Sequence, residues 1–289
     1  MYYKWNNRAN HTRGKGMERK NIFDILNEKG DINYQIRKIE ELLSETSIDG
    51  CTPEEIVDTH CMCDWKARGR YTSCAEIRER LQISKIYIIN RLSDKQILLY
   101  LEYVINIVWL CREKYLGDSE DFDDEYLYLQ QNTIGLINDL GYEARVFEDE
   151  EKVILVEKDA AMTSVAEIVE PELANEIIEY NHHLLKGDIA GKRKILKTLA
   201  DKFEPMRGEL KRINKYLESN TGYLLNKMNI RHNNIDGSNA IEYVKNLSDE
   251  ELEEWYDETY QMLLLCILEY DNIERSKRVD ELKRNIEQK

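Results

Sequence analysis

The sequence predicts a mainly α-helical protein made of helical bundles, with one small β-hairpin near residues 142–158. Three observations lead there. Pro and Gly are scarce, at 3 and 13 in 289 residues, and charged residues make up 34% of the chain. Straight-chain residues lose little freedom in helices, so such a composition favours them. Apolar residues recur three and four apart over most of the chain, the period of a helix face. The single convincing β signal is Val153-Ile154-Leu155-Val156, a short run rich in β-branched side chains.

The elements follow in order. Residues 1–20 read as a basic arm, with Lys4, Arg8, Arg13, Lys15, Arg19 and Lys20 against Glu18 alone. A helical pattern starts at Asn21, pauses at Gly30 and continues through Ile32, Ile36, Ile39, Leu42 and Leu43. Thr52-Pro53-Glu54-Glu55 is a helix start, with Thr52 as the cap and Pro53 in the first turn. Residues 68–72 form a loop before a helix from Ser73 to Leu81. Ser93 and Gln96 cap a long apolar helix that runs to about Leu116 through Leu98, Leu101, Val104, Ile105 and Val108. Gly117 and the six acids of Asp118–Glu125 then divide an N-terminal region, 21–117, from the remainder, 118–289.

Tyr126–Leu140 reads as a helix that Gly141 stops. The strands Tyr142–Phe147 and Lys152–Lys158 flank the turn 148–151, and a lone hairpin is marginal, so it must pack on helices. Beyond Pro171, Leu199, Phe203, Met206, Leu210, Ile213 and Leu217 form a heptad-like seam. Pro205 falls inside that seam and is expected to kink or split the helix. The last helix starts with a Ser248–Glu251 capping box. Its broad face, Leu252, Trp255, Tyr256, Thr259, Tyr260, Leu263, Leu264, Ile267 and Leu268, suits either a core or a dimer interface.

Charge and cysteine usage narrow the function. A formal charge of −15 argues against general attraction to nucleic acid. The strip from Ile189 to Leu217 is the exception, with Lys192, Arg193, Lys194, Lys197, Lys202, Arg207, Lys211, Arg212 and Lys215 against three acids. No apolar run reaches the roughly 20 residues of a bilayer span, and a cytoplasmic, membrane-free protein is expected. His60-Cys61-Met62-Cys63, with Cys51 and Cys74 nearby, is too tightly spaced for a common zinc site. Reduced thiols, no metal and no cofactor are the expectation. His182-His183 reads as a surface residue beside a core-facing one.

Leu224–Gly237 concentrates an Arg, a His, four Asn and an Asp between two apolar helices. Arg231 and His232 are the candidate catalytic pair: an Arg can stabilise charge on a phosphorane while a His moves a proton. Asn229, Asn233, Asn234 and Asp236 would orient that site. Lys192, Arg193, Arg207, Lys211 and Arg212 would bind the RNA. The same residues also fit a closed helix end, with Arg231 paired to a carboxylate such as Glu254 or Asp257.

Helix–Ile230-Arg231-His232–helix, over about residues 171–289, resembles the HEPN superfamily, and more narrowly the C-terminal domains of bacterial abortive-infection proteins. The resemblance implies a helical bundle, often a homodimer, that binds RNA or cuts it without a metal in phage defence or as a toxin. It also implies RNA, or a cognate antitoxin or defence protein, as the partner. The family's second His would fall at Gly237, Ser238 or Asn239, and none of these is a His. Either His232 substitutes for it, or the domain binds without cutting. A non-catalytic helical interaction module is the alternative reading, and an acidic nucleic-acid mimic the third.

Overall fold

The computed structural model describes residues 30–84, 86, 92–117 and 124–287. The basic arm, residues 21–29 of the first helical pattern and most of the acidic cluster lie outside the described residues. What is described is mainly helical, with eleven α-helices and one two-stranded antiparallel hairpin. The N-terminal helices are α1 (Ile32–Glu45), α2 (Pro53–Ile56), α3 (Cys74–Leu81), α4 (Asp94–Leu110) and α5 (Asp124–Asp139). The strands are β1 (Tyr142–Phe147) and β2 (Lys152–Glu157). Then follow α6 (Ala160–Ala166), α7 (Pro171–Tyr180), α8 (Ile189–Ile213), α9 (Lys215–Lys227), α10 (Glu242–Lys245) and α11 (Asp249–Glu287).

Local chemistry starts these helices where the sequence places them. Thr52 and Glu55 make a capping box at α2, and Ser93 and Gln96 make one at α4. At α11, Glu251 N–H donates to Ser248 Oγ at 3.2 Å, and Ser248 N–H donates to Glu251 Oε2 at 2.8 Å. Gly141 follows α5 with φ of +86°, a backbone conformation that suits Gly. The short helix α6 has no counterpart in the sequence reading. Asp159 starts it by accepting from the N–H groups of Ala161 and Met162 at 2.8 and 3.1 Å.

Pro205 does not split the helix: α8 is one helix of 25 residues with Pro205 inside. A Pro removes one N–H and costs about 3 kcal/mol in a helix interior. Phe203 and Leu210, on either side of it, are both fully buried, and their burial offsets that cost. The break comes instead at Asn214. Its N–H closes α8 on Leu210 O at 2.7 Å, and its Oδ1 accepts from Leu217 N–H at 3.1 Å to start α9.

The apolar side chains form two clusters. One gathers α1–α5 with Val153 and Leu155; the other gathers α6–α11 with Phe147, Ile154 and Val156. Thus α5, which the sequence grouping puts with the C-terminal part, packs in the first cluster. Successive residues of a strand face opposite ways, so β2 serves as a wall between the two clusters, and Val153, Ile154, Leu155 and Val156 are all buried.

A two-stranded sheet leaves β2 with a free edge, whose buried N–H groups need partners. Val153 N–H donates to Asn106 Oδ1 at 2.8 Å, and Leu155 N–H to Glu102 Oε2 at 2.8 Å. Glu157 N–H donates to Asn181 O at 3.0 Å. Asn106 and Glu102 lie one turn apart on α4, so they match the two-residue step of the strand edge. The turn is fastened as well, with Trp65 Nε1 donating to Glu151 O at 2.8 Å.

Candidate functional site

The Arg231 segment is a closed loop between α9 and α10. Asn229 adopts a left-handed conformation with φ of +56°, which Asn tolerates better than most residues. Its N–H donates to Asn234 Oδ1, and Asn234 N–H returns the bond to Asn229 Oδ1, both at 3.1 Å. Asn233 Oδ1 accepts from the N–H groups of Ile235 and Asp236 at 3.2 and 3.0 Å. Ile230 is fully buried, and Tyr256 OH donates to Asn229 O at 3.4 Å. The amide oxygens of Asn229, Asn233 and Asn234 are thus spent on loop geometry.

Arg231 is placed by the same loop. Its guanidinium pairs with Glu204 of α8, not with Glu254 or Asp257, and donates through Nη2 to Ala200 O at 2.7 Å. Only 17% of its side chain is exposed. His232 and Asp236 are exposed. Neither Arg231 nor His232 lines any of five clefts on the described surface.

The basic strip meets this loop at one point. Arg193 donates to the carbonyl oxygens of Ile230 and His232, each at 3.3 Å. The other bases are distributed. Lys192 is buried between Glu253 and Asp257 at 2.7 and 2.6 Å. Arg207 pairs with Glu218 at 2.6 Å, and Arg212 with Glu209 at 3.0 Å. Lys211 lines a cleft of about 400 Å³ with Lys215 and Lys227.

A different constellation lies where the two apolar clusters meet. The chain leaves α7 at Tyr180, and His182 takes an extended backbone that bridges to Val156 of β2. His182 and His183 are therefore not neighbours on a helix, and both rings turn to the same atom. Their Nε2 atoms lie 2.8 and 3.1 Å from Glu102 Oε2, the oxygen that also accepts from Leu155 N–H. Side-chain exposure is 16% for His182, 1% for His183 and 16% for Glu102, so neither His is a surface residue. Burial alone would raise the Glu102 carboxyl. The hydrogen bonds and charge of His182 and His183 outweigh burial and hold it at about 2. Among the described residues, these three form the one group of possible metal ligands, with donor atoms all within 4.8 Å.

His182 and His183 also line a cleft of about 690 Å³ shared with Asp159, Lys192, Glu253 and Asp257. In it Tyr180 OH donates to Asp257 Oδ1 at 2.9 Å, and the Tyr180 ring stacks on Tyr260 at 4.0 Å. Burial would raise the Glu253 carboxyl, but the Gly187 N–H and Lys192 hold it below the ordinary range. The cysteines take no part in this site. Cys61, Cys74, Cys111 and Cys266 are buried free thiols, and Cys51 and Cys63 are exposed free thiols.

In comparisons with known proteins, no family model matches the chain, and no characterised protein or solved structure matches it either. No helix among the described residues is long and apolar enough to cross a membrane.

Proposed function

We propose that this chain is a HEPN-like helical protein of the bacterial defence type that acts by binding a partner. In this reading Arg231 fastens the C-terminal bundle and performs no phosphoryl chemistry. One observation carries it: the Arg231 guanidinium is mostly buried and divided between Glu204 and the Ala200 carbonyl. A guanidinium only 17% exposed and neutralised by a carboxylate is poorly placed to receive a phosphate. The end of α11 adds support, since Val279, Leu282 and Ile286 stand exposed at three-to-four spacing, as on a helix that meets another. A second copy of the chain, or a cognate antitoxin or defence protein, is the partner this stripe suits.

The second reading is a metal-independent endoribonuclease with Arg231 and His232 at its centre. It is favoured by the contact of basic Arg193 with the Ile230 and His232 carbonyls and by the exposure of His232. Incubating total RNA with the purified protein in EDTA separates the two. The binding reading expects intact RNA, and Arg231→Ala then lowers stability by roughly 2 kcal/mol in urea denaturation. RNA cleavage that folded Arg231→Ala and His232→Ala both abolish would establish the nuclease instead.

The ion pair also has a pH signature. Burial opposes ionisation of Glu204, but the hydrogen bond and charge of Arg231, with smaller contributions from Arg207, outweigh it and keep the carboxyl below its ordinary range. A lowered carboxylate contributes stability above about pH 4, and that contribution is lost as pH falls through the folded-state value. Acid denaturation of wild type and Arg231→Ala should therefore converge as pH drops below about 4. A gap that stays constant down to low pH would mean that Glu204 is not the partner that matters.

A further inference from the structure

We propose that Glu102, His182 and His183 bind one divalent transition-metal ion of the zinc class, with a further coordination position open to the cleft that His182 and His183 line. The donor set is the first argument. Two imidazole nitrogens and one carboxylate suit zinc and its borderline neighbours, whereas Mg²⁺ and Ca²⁺ prefer oxygen alone. Three protein ligands leave the fourth position of a tetrahedral site for water or substrate.

The distances are the second. Metal bonds of about 2.0–2.1 Å put tetrahedral ligands roughly 3.3 Å apart. Glu102 Oε2 already stands 2.8 and 3.1 Å from the two Nε2 atoms, and all three donors lie within 4.8 Å. A metal ion would need shifts of only about an ångström or less along most edges. Binding uses the Nε2 lone pairs, so any proton now on Nε2 moves to Nδ1 or leaves to solvent. The metal then replaces hydrogen bonds that converge on a single oxygen.

The surroundings are the third. The ligands come from α4 and from the chain after α7, and Glu102 and His182 are held by backbone bonds made elsewhere. Leu155 N–H orients the Glu102 carboxylate, and the His182 backbone is bridged to Val156. Such outer contacts fix ligands in geometry before a metal arrives. Access is provided by the cleft of about 690 Å³ that His182 and His183 line, whose wall sets Glu157, Asp159, Glu250 and Glu254 beside Lys158 and Lys186. Carboxylates outnumber lysines on that wall, and the chain's net charge of −15 favours cations.

Protein stripped with EDTA and titrated with Co²⁺ tests this. The expected result is one saturable equivalent, with the visible absorption of a low-symmetry nitrogen and oxygen site, displaced by Zn²⁺. Zn²⁺ should also raise the melting temperature of the wild type. Both His182→Ala and the isosteric Glu102→Gln should weaken binding at least about tenfold, while His60→Ala leaves it unchanged. Absence of saturable Co²⁺ binding by the wild type overturns the proposal and leaves a hydrogen-bonded clamp. Binding that survives folded Glu102→Gln and His182→Ala but disappears in a Cys51→Ser, Cys63→Ser double variant overturns it as well. The result is independent of RNA cleavage, which is assayed with metal removed.

Discussion

Replacing Arg78 by Ala is expected to cost about 4 kcal/mol, measured by urea denaturation. Its guanidinium ties three helices together. Nη1 and Nη2 grip both oxygens of Glu40 on α1 at 2.8 and 3.0 Å, and Nε donates to Glu54 of α2 at 2.6 Å. Tyr100 of α4 donates its OH to Glu40 Oε2 at 2.7 Å, and Tyr103 donates to Glu54. Side-chain exposure is 10% for Arg78, 16% for Glu40 and 28% for Glu54, so water screens the group poorly. Without the cation two carboxylates face each other with little solvent, and breaking a buried pair from one side typically costs about 3–5 kcal/mol. Arg78→Lys keeps the charge but loses the two-pronged grip on Glu40, so its cost should fall between wild type and Ala. A loss under about 1 kcal/mol for Arg78→Ala would put the group in the class of screened surface pairs.

Leu155→Ala is expected to cost about 3 kcal/mol, within the range for truncating a buried Leu. Leu155 is fully buried in the N-terminal cluster, while Ile154 beside it, 4% exposed, belongs to the C-terminal one. Each face of β2 is therefore a tightly packed surface. Ile154→Ala should lower the same unfolding transition as Leu155→Ala, because both act on one strand. Two separate transitions in calorimetry, with each variant shifting its own, would show that the clusters melt independently.

The features legible in the sequence are those set by neighbours in the chain. The caps at Thr52, Ser93 and Ser248 depend on residues three apart, and the hairpin depends on a turn between two runs. Pro205 suggests a split that does not occur, because its local penalty is offset by Phe203 and Leu210, whose burial is a tertiary effect. Arg231 was readable as a helix-end residue, but its carboxylate comes from Glu204 on an earlier helix rather than from α11. The His182–His183 cluster was hidden for the same reason: its third member lies 80 residues earlier. One signal was available. Glu102 and Asn106 are polar residues one turn apart in an otherwise apolar helix, and such residues need buried partners.

The shared strand also governs what happens while the chain is being made. Translation delivers α1 through α5 before β2, so the N-terminal helices must wait for Val153 and Leu155 to close their cluster. Until residue 155 has cleared the ribosome, the face of α4 that packs on β2 stays open to other apolar surfaces. The side chains of Glu102 and Asn106 meanwhile have no strand edge to bond. A stalled chain ending before the hairpin would therefore be a substrate for chaperones, and the hairpin is the segment whose synthesis releases it.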